Sequence, residues 1–275
     1  MKRLVSYAIL CIGLLVSCAH KSGHKIKSFV SSEIQVYEND GVNQSEGISD
    51  DFCLAEKKDQ SNQLILKRTA YGLSYNSELL IPNWVAWHLT AEHADGVWPR
   101  DNKYYEDEEV PTPRATEDDY KGSGWTHGHM CPAGDNKWDS EAMRESNLLT
   151  NICPQHASLN SGLWNAIEQD CRRWAKKYGD IYIVCGPVLY NKEHETIGDH
   201  KVVVPEAFFK VILCLQGIPK AIGFVIKNNE GKKRKDQFVN TVDEVERITG
   251  IDFFPALPDD IENDVEAYSN LEDWK

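Results

Sequence analysis

Short apolar runs separated by turn residues dominate the central part of the chain. Runs of this length, bounded by glycine, proline and polar residues, predict β-strands. The predicted strands are residues 63–68, 71–76, 84–90, 181–184, 208–215 and 220–226. The last two flank Gln216-Gly217-Ile218-Pro219, which predicts a hairpin turn. The Gly186-Pro187 pair is expected to close the strand at 181–184.

A helical period replaces the strand pattern in the segment 160–178. Its apolar residues recur at spacings of three and four, which places them on one stripe of a helix. That stripe consists of Leu163, Trp164, Ile167, Cys171, Trp174, Ala175 and Tyr178. A second, shorter helix is predicted after Thr241, because Thr241 and Glu244 form a capping box and Gly250 follows as a stop.

The order of these elements indicates the fold class. Strands and helices are intermixed, but they do not alternate regularly as βαβ units do. This order favours an α+β fold with a mixed, mainly antiparallel central sheet flanked by helices. Residues 101–119 are rich in acidic side chains and contain two prolines, which predicts a solvated loop.

The N-terminus has the pattern of an export leader. Lys2 and Arg3 precede an apolar stretch, residues 4–16, that is short for a membrane span. The stretch ends in Leu15-Val16-Ser17-Cys18, which resembles a bacterial lipoprotein signal; an ordinary secretory leader is the alternative. We therefore expect a leader at 1–17, a lipidated Cys18 with a flexible tether at 18–58, and a folded domain at 59–275. The protein would be an exported lipoprotein of the bacterial cell envelope, attached to the membrane through Cys18.

Export affects what the cysteines predict. Without Cys11 and the lipidated Cys18, six cysteines remain, and an even number in an oxidising compartment suggests disulfides. The formal net charge is −13, which is unfavourable for generic nucleic-acid binding, because phosphate affinity comes mainly from Lys and Arg. A site that acts on nucleic acid must therefore be locally basic or assisted by a metal.

The candidate chemistry centres on the segment Trp125-Thr126-His127-Gly128-His129. Two hypotheses fit the residue types. The first is a zinc site built from His127, His129, Cys131 and either Cys153 or His156. The second is a general base on a strand beside a hard metal held by oxygen ligands. The spacing by itself leaves both open.

A wider set of motifs resembles a known family. These are residues 120–135, Leu149-Thr-Asn-Ile-Cys-Pro-Gln155, Leu159-Asn-Ser-Gly-Leu-Trp164, Tyr182-Ile-Val-Cys-Gly-Pro-Val188, Val204-Pro-Glu-Ala-Phe-Phe-Lys210, Trp84-Val-Ala-Trp87 and Pro99-Arg100. In this order they resemble the DNA/RNA non-specific endonucleases of the ββα-metal superfamily, which include endonuclease G-like and bacterial secreted nucleases. The resemblance covers about residues 62 to 257. It implies a Mg²⁺-dependent endonuclease that cleaves both DNA and RNA and leaves 5′-phosphates.

The resemblance also implies a role for each matching residue. His129 stands at the histidine of the family's Asp-Arg-Gly-His motif and would be the base that activates water. Asn160 would be the sole direct protein ligand of Mg²⁺, for which Mn²⁺ can substitute, and Glu168 would hold water on that metal. Asn151 would support the site, and Arg100 would contact phosphate. Because Mg²⁺ keeps several waters, a single protein ligand suits it, and a neutral histidine can accept a proton near pH 7.

The sequence departs from the family at two positions of the motif. Thr126 and His127 replace the Asp and Arg, so His127 would supply only part of the arginine's positive charge. We therefore expect weaker activity that is more favoured at mildly acidic pH. Cys131 and Cys153 each follow a site residue by two positions, which suggests a disulfide between them.

Two other functions stay open on the sequence. A zinc-binding surface lipoprotein would use the His127, His129, Cys131 and Cys153 cluster. A catalytically weakened nuclease fold would bind nucleic acid without cleaving it.

Overall fold

The computed structural model describes residues 54–57 and 63–275. The expected leader, the lipidated Cys18 and most of the expected tether lie outside the described residues, so these predictions remain predictions. Cys53 lies outside them as well. In the part of the chain that the structure describes, none of the helices has the length and apolar character needed to span a membrane.

Thirteen strands and five α-helices are found in the described residues. The strands are β1 (Ala55–Lys57), β2 (Leu64–Lys67), β3 (Gly72–Asn76), β4 (Ile81–Thr90), β5 (Thr126–His129), β6 (Ile152–Gln155), β7 (Asp180–Val188), β8 (Thr196–Ile197), β9 (Val202–Val203), β10 (Ala207–Cys214), β11 (Lys220–Lys227), β12 (Val239–Asn240) and β13 (Ile251–Phe253). The helices are α1 (Glu117–Tyr120), α2 (Ser140–Ser146), α3 (Asn165–Tyr178), α4 (Val242–Thr249) and α5 (Asp259–Glu266).

The centre of the fold is a seven-stranded antiparallel sheet in the order β12-β11-β10-β7-β4-β3-β2. Its middle strands are buried on both faces, which explains why β10 is apolar at nearly every position rather than alternating. On one face Phe208 meets Trp164, next to helix α3. On the other face Phe209 meets Phe253 of β13. The predicted α+β fold with a mainly antiparallel sheet is confirmed.

Most predicted elements lie within one to three residues of their observed bounds. The hairpin at 216–219 joins β10 to β11, and Thr241 caps α4 by accepting a hydrogen bond from the Glu244 backbone N–H at 3.2 Å. One strand end was predicted wrongly: β7 continues through Gly186-Pro187 to Val188. It can do so because Pro187 pairs with Phe208 of β10 within an established ladder, and tertiary pairing outweighs a local turn pair.

The boundary predicted at residue 59 falls too late. Strand β1 lies inside the segment predicted as tether, and it pairs antiparallel with β13 from Ala55 opposite Phe253 to Lys57 opposite Ile251. Leu54 and Ala55 are buried. A three-residue strand carries no periodicity of its own, and its partner lies almost two hundred positions away, so the local pattern could not reveal it.

The acidic segment 101–119 is irregular, as predicted, but it is not wholly solvated. Asp107 is buried, where it pairs with Arg68 and accepts a hydrogen bond from Thr150 Oγ1 at 2.6 Å. Val110 and Ala115 join the core, and α1 begins at Glu117. Buried charge is tolerated here because Asp107 is paired and hydrogen-bonded.

Candidate active site

A two-stranded hairpin and the helix after it carry the predicted site. Strands β5 and β6 pair antiparallel, with Thr126 opposite Gln155 and His129 opposite Ile152. Gly128 makes this pairing possible, because a Cβ at that position would lie 2.5 Å from the Cβ of Gln155. Helix α3 follows β6. Asn160 donates a hydrogen bond to the His127 carbonyl, and the charge of Arg100 acts on both His129 and Glu168, which places the three residues in one region.

His129 is almost fully buried and is held in a single tautomer. Its Nε2 lies 2.9 Å from Oδ1 of Asn147, while Asn147 Nδ2 donates to the Asp101 carbonyl at 3.1 Å. That second bond fixes the orientation of the amide, so an oxygen faces the ring. Because an amide oxygen only accepts, Nε2 must carry the proton and Nδ1 keeps the lone pair. Nδ1 is therefore the atom that can act as a base.

Burial lowers the pKa of His129 to about 4, against the opposing effect of the Asn147 hydrogen bond, while the charges of Arg100 and His127 lower it further. The imidazole is consequently neutral at pH 7. A neutral imidazole is the form needed to accept a proton from water. The burial that keeps the ring neutral also places it against Tyr104, whose ring centre lies 5.7 Å away.

Asn160 presents its amide oxygen without a partner among the described residues. Its Nδ2 donates to Thr126 Oγ1 and to the His127 carbonyl, both at 3.0 Å. Thr126 Oγ1 in turn donates to the Gln155 carbonyl at 2.7 Å, so the threonine hydroxyl is oriented to accept from Asn160. Both amide hydrogens are thereby used, and Oδ1 is left to bind something else.

The segment that carries Asn160 is not regular helix, which corrects the predicted helix over 160–178. Residues Leu159–Trp164 form an irregular turn with a non-helical backbone at Gly162, and regular helix begins at Asn165. The Leu163 N–H donates to the Gly231 carbonyl at 3.1 Å instead of continuing the helical pattern. A Cβ on Gly162 would lie 2.6 Å from that same carbonyl oxygen, so the close approach requires glycine. The kink at Gly162 is caused by the loop at Gly231, which is distant in the sequence, so the local hydrophobic periodicity could not predict it.

Glu168 lies half-buried on α3, and its carboxylate makes no hydrogen bond to another described residue. Burial raises the pKa of Glu168 to about 7, and the charge of Lys210 is the largest of those that oppose this shift. Arg172 and Arg100 oppose it as well. Glu168 is therefore a carboxyl group that changes its charge close to neutral pH.

Lys210 is buried in the core, within electrostatic range of Glu168. Its Nζ is 4.5 Å from the ring centre of Trp164 and 5.2 Å from that of Trp87, and it has no hydrogen-bond partner among the described residues. Two aromatic faces stabilise an ammonium ion that is out of contact with water. The buried positive charge of Lys210 thus stabilises the carboxylate form of Glu168 and lowers its pKa.

Arg172 closes the same region from one side. Its Nη1 donates to Asp135 Oδ1 at 2.6 Å, and Trp87 Nε1 donates to Asp135 Oδ2 at 3.1 Å. Asp135 is buried, and the two donors satisfy both of its oxygens. This network connects the turn after His129 to α3.

Arg100 is exposed at the edge of the site. Its charge lowers the pKa of both His129 and Glu168, which places its guanidinium within electrostatic range of the two groups. An exposed guanidinium in that position is free to meet an anion from solvent.

Asn151 has a supporting position. Its Oδ1 accepts from the Cys131 N–H at 2.9 Å, and its Nδ2 donates to the carbonyls of Cys131 and Ser146 at 2.8 and 2.7 Å. Its amide is fully engaged and completely buried. Asn151 therefore fixes the end of β5 and does not face solvent.

His127 is placed differently from an arginine substitute. Its ring stacks between Tyr104 and Tyr120, with ring centres 3.8 and 4.2 Å away. Nε2 lies 3.0 Å from Oε2 of Glu117, without the alignment of a hydrogen bond. Burial lowers the pKa of His127, and the Glu117 carboxylate only partly opposes this. The expectation that His127 supplies part of a positive charge remains a prediction, and the lowered pKa reduces that charge near neutral pH.

An acidic cleft of about 740 Å³ adjoins His127. Tyr104 and Glu117 line it, together with the acidic run Glu106 to Glu109 and the cations Arg68 and Arg144. The predicted solvated loop thus forms a negative wall beside the candidate site.

The cysteines do not form the predicted disulfide or zinc site. Cys131 and Cys153 are both free and buried, and Cys131 Sγ lies 3.2 Å from Asn136 Nδ2. Burial raises the pKa of both thiols well above the usual value. Among the described residues, which include all the proposed zinc ligands, only Asp243, Glu246 and Glu266 bring three such groups together.

The ligands near His129 fit a hard cation. Asn160 offers an amide oxygen and Glu168 a carboxylate, and oxygen donors of this kind suit Mg²⁺ or Mn²⁺ rather than a soft metal. The unengaged Oδ1 of Asn160 is the specific observation that supports this fit. The two residues do not lie on one continuous helix, because the kink at Gly162 separates them.

Sequence reasoning missed two residues, Asn147 and Lys210. Asn147 lies four positions before Asn151 in a segment whose function could not be read from periodicity. Lys210 appears in the sequence as a single polar residue within the apolar run 208–215. A lysine inside a strand that is otherwise entirely apolar was the available indication that something unusual is buried there.

Comparisons with known proteins agree with this arrangement. The family model described as DNA/RNA non-specific endonuclease matches residues 49–260. The mitochondrial nuclease EXOG of Mus musculus is 35% identical over 207 residues, which cover 69% of this chain and 56% of that protein. Nuclease C1 of Cunninghamella echinulata var. echinulata is 35% identical over 210 residues, covering 70% of this chain and 83% of that protein.

The fold is also similar to that of a solved structure. A chain of the crystal structure of the EndoG/EndoGI complex, described as showing the mechanism of EndoG inhibition, aligns with a TM-score of 0.67 at 29% identity. The alignment covers 72% of this chain and 88% of that chain. The chain spans little more than half the length of the mitochondrial EXOG nucleases that it matches. With the family model and these relatives together, the chain belongs to the DNA/RNA non-specific endonuclease family.

Proposed function

We propose that this protein is a Mg²⁺-dependent endonuclease that hydrolyses phosphodiester bonds of both DNA and RNA and leaves 5′-phosphates. The observation that carries the proposal is the pair formed by His129 and Asn160. One offers a neutral Nδ1 and the other an unengaged amide oxygen, and the same β5 strand holds both. A base beside a hard-metal ligand is the combination that phosphodiester hydrolysis needs.

The residues of this chain have separate parts in the reaction. Asn147 keeps the proton on Nε2 of His129, so Nδ1 takes a proton from the attacking water. Arg100 meets the phosphate from solvent, and Glu168 accepts hydrogen bonds from water near Asn160. When bound to Asn160, Mg²⁺ would stabilise negative charge on the phosphate and on the leaving oxygen.

Tolerance of both DNA and RNA follows from the kind of contact available. The exposed Arg100 at the site edge and a metal address the phosphate, which both polymers share, rather than the bases. The acidic surroundings favour a site that depends on the metal for phosphate affinity. Family membership and the proteins named as nucleases among the relatives support this substrate class.

The direct test uses supercoiled plasmid and a structured RNA, each incubated with the protein in Mg²⁺, in Mn²⁺ and in EDTA. We expect cleavage of both polymers with either metal and none in EDTA. His129→Ala should lower the rate by roughly 10² to 10⁴-fold. His156→Ala is the matched control, because this exposed histidine lies outside the proposed machinery and should leave the rate unchanged.

The results separate the alternatives. Intact plasmid after prolonged incubation of wild-type protein with Mg²⁺ and Mn²⁺ would overturn the proposal. Retention of labelled nucleic acid without cleavage would then favour a binding protein, for which the replacement of the family's arginine by His127 is the supporting observation.

We further propose that the protein is an exported bacterial lipoprotein of the cell envelope, attached through Cys18. The motif Leu15-Val16-Ser17-Cys18 supports this. Palmitate labelling of the full chain in cells should mark the wild type and not Cys18→Ser. Equal labelling of both proteins would contradict the proposal.

A further inference from the structure

Three carboxylates converge in a second region, on helices α4 and α5 and away from the hairpin that carries His129. Asp243 and Glu246 lie one turn apart on α4, and Glu266 is the last residue of α5. One carboxylate oxygen from each lies within 4.8 Å of the other two. Nothing in the proposed nuclease chemistry uses these residues.

Glu266 is the unusual member of this group. It is only 8% exposed, and its Oε1 is buried without a hydrogen-bond partner among the described residues. The charges that surround it are the carboxylates of Glu246, Glu262, Asp243 and Asp252, and together with burial they raise the pKa of Glu266 to about 8. A buried carboxylate oxygen normally has a donor or a cation, because leaving it bare is costly.

The other two members are held in place by the local structure. The Phe253 backbone N–H donates to Glu246 Oε1 at 2.7 Å, which fixes this side chain against β13. The Thr241 cap fixes the start of α4, and with it Asp243 one turn before Glu246. Asp243 is exposed, so the group has one open side from which an ion and its water can enter.

We propose that Asp243, Glu246 and Glu266 form a Ca²⁺ site that joins α4 to α5. Three carboxylates supply only hard oxygen ligands, which excludes soft metals. Ca²⁺ binds oxygen at about 2.3 to 2.6 Å, so two oxygens bound to one ion are at most about 5 Å apart. The three carboxylate oxygens of this group lie within 4.8 Å of one another and meet that limit. Mg²⁺ demands shorter and more regular octahedral contacts, and water on the open side completes the larger shell of Ca²⁺.

The expected consequence is stability rather than catalysis. Both helices pack on β11, on the sheet face opposite α3. An ion bound there stabilises the folded chain by mass action, since the unfolded chain does not hold the three carboxylates together. At a Ca²⁺ concentration of about 100 times Kd, the Tm should rise by roughly 5 to 10 °C.

The experiment uses the full-length protein, stripped with EDTA and titrated with CaCl₂ by calorimetry and by thermal unfolding. All variants are made in an Asn160→Ala background, which removes the proposed ligand at the nuclease site. Glu266→Gln and Asp243→Asn each replace one carboxylate ligand of the group by an amide of the same shape. Asp264→Asn is the matched control, because it removes an exposed carboxylate from the same helix.

We expect the Asn160→Ala protein and the Asp264→Asn control to bind one Ca²⁺ and to gain Tm. Glu266→Gln and Asp243→Asn should weaken binding at least tenfold and lose the Tm gain. Asp243→Asn lies at an exposed position, so it remains informative if Glu266→Gln folds poorly. The inference is wrong if CaCl₂ leaves the Tm of the parent protein unchanged, or if the Asp243→Asn protein gains as much as the parent.

Discussion

The proposed role of His129 as a base depends on a residue eighteen positions away that holds its other nitrogen. The Asn147 amide accepts from Nε2, and the Asp101 carbonyl fixes which end of that amide faces the ring. The neutral ring and its tautomer are therefore products of the surroundings of His129 rather than of the motif that contains it.

Substitution of Asn147 tests this arrangement. Asn147→Asp would put a carboxylate against Nε2, which favours the imidazolium and raises the pKa of His129. We expect the low-pH limb of kcat/KM that belongs to His129, which lies below the Glu168 limb near pH 7, to move up by one pH unit or more, with activity partly recovered at higher pH. Asn147→Ala should lower kcat at every pH, by roughly tenfold or more, because the tautomer is no longer fixed. Identical pH profiles for Asn147→Asp and wild type would show that the pair does not control the base.

Glu168, not His129, should set the pH dependence near neutrality. The pKa of His129 is about 4, so the ring is already neutral above pH 5, whereas the pKa of Glu168 is about 7 and its charge develops between pH 6 and 8. Activity that needs the Glu168 carboxylate must therefore rise as pH increases through 7. The sequence-based expectation of a mildly acidic preference, which relied on the charge of His127, predicts the opposite trend, so the same pH profile distinguishes the two predictions.

The measurement is kcat/KM from pH 5 to 9 at low Mg²⁺. We expect the acid limb of the pH profile to lie near pH 7 and to move to lower pH as the Mg²⁺ concentration increases, because a nearby cation favours the carboxylate form of Glu168. Glu168→Gln should have low activity and no limb there, and Lys210→Met should move the limb upward by about one unit. A limb near pH 7 that persists in Glu168→Gln would assign it to another group.

At the scale of elements, the turn Leu159–Trp164 positions the proposed metal ligand. It departs from helix at Gly162 because the loop at Gly231 packs against it at a distance that leaves no room for a Cβ. The amide of Asn160 then reaches back to β5, so one irregular turn links the helix to the hairpin.

Gly162→Ala should therefore disturb the site more than the fold. The new Cβ would meet the Gly231 carbonyl at 2.6 Å, and the turn would have to shift with Asn160. We expect Mg²⁺-dependent cleavage to fall at least tenfold, with a Tm loss of a few degrees that corresponds to about 1 to 3 kcal/mol. Gly72→Ala is the control, since its nearest atom would be 3.9 Å away. Full activity of Gly162→Ala would show that the close approach does not position Asn160.

At the scale of the whole molecule, the negative charge of the protein repels the proposed nucleic-acid substrate. The chain carries a formal net charge of −13, and the run Glu106 to Glu109 forms a negative wall beside His127. Added salt screens this repulsion while it weakens the few phosphate contacts, and the two effects oppose each other.

The KM for duplex DNA should consequently change little between about 20 and 150 mM salt, by less than roughly threefold. A protein with many basic phosphate contacts loses far more affinity over such a range. Neutralising the wall with Glu106→Gln, Glu108→Gln and Glu109→Gln together should lower KM at low salt and steepen the salt dependence. Steady-state cleavage assays at fixed Mg²⁺ measure both quantities. A steep rise of KM with salt in the wild type would contradict this account.

Local sequence determined a large part of this protein. Strands β3, β10 and β11, the hairpin at 216–219 and the capped helix α4 each depend on neighbouring residues, so periodicity and turn chemistry could identify them. The ordered motifs between Trp84 and Lys210 likewise indicated the family, because each is a run of consecutive residues. Tertiary structure decided whatever depends on partners distant in the chain: β1 on β13, the continuation of β7 through Gly186-Pro187, and the kink at Gly162. It also decided the electrostatics, since burial between two tyrosines lowers the pKa of His127 and burial raises the pKa of Glu168. A one-dimensional pattern does not specify burial.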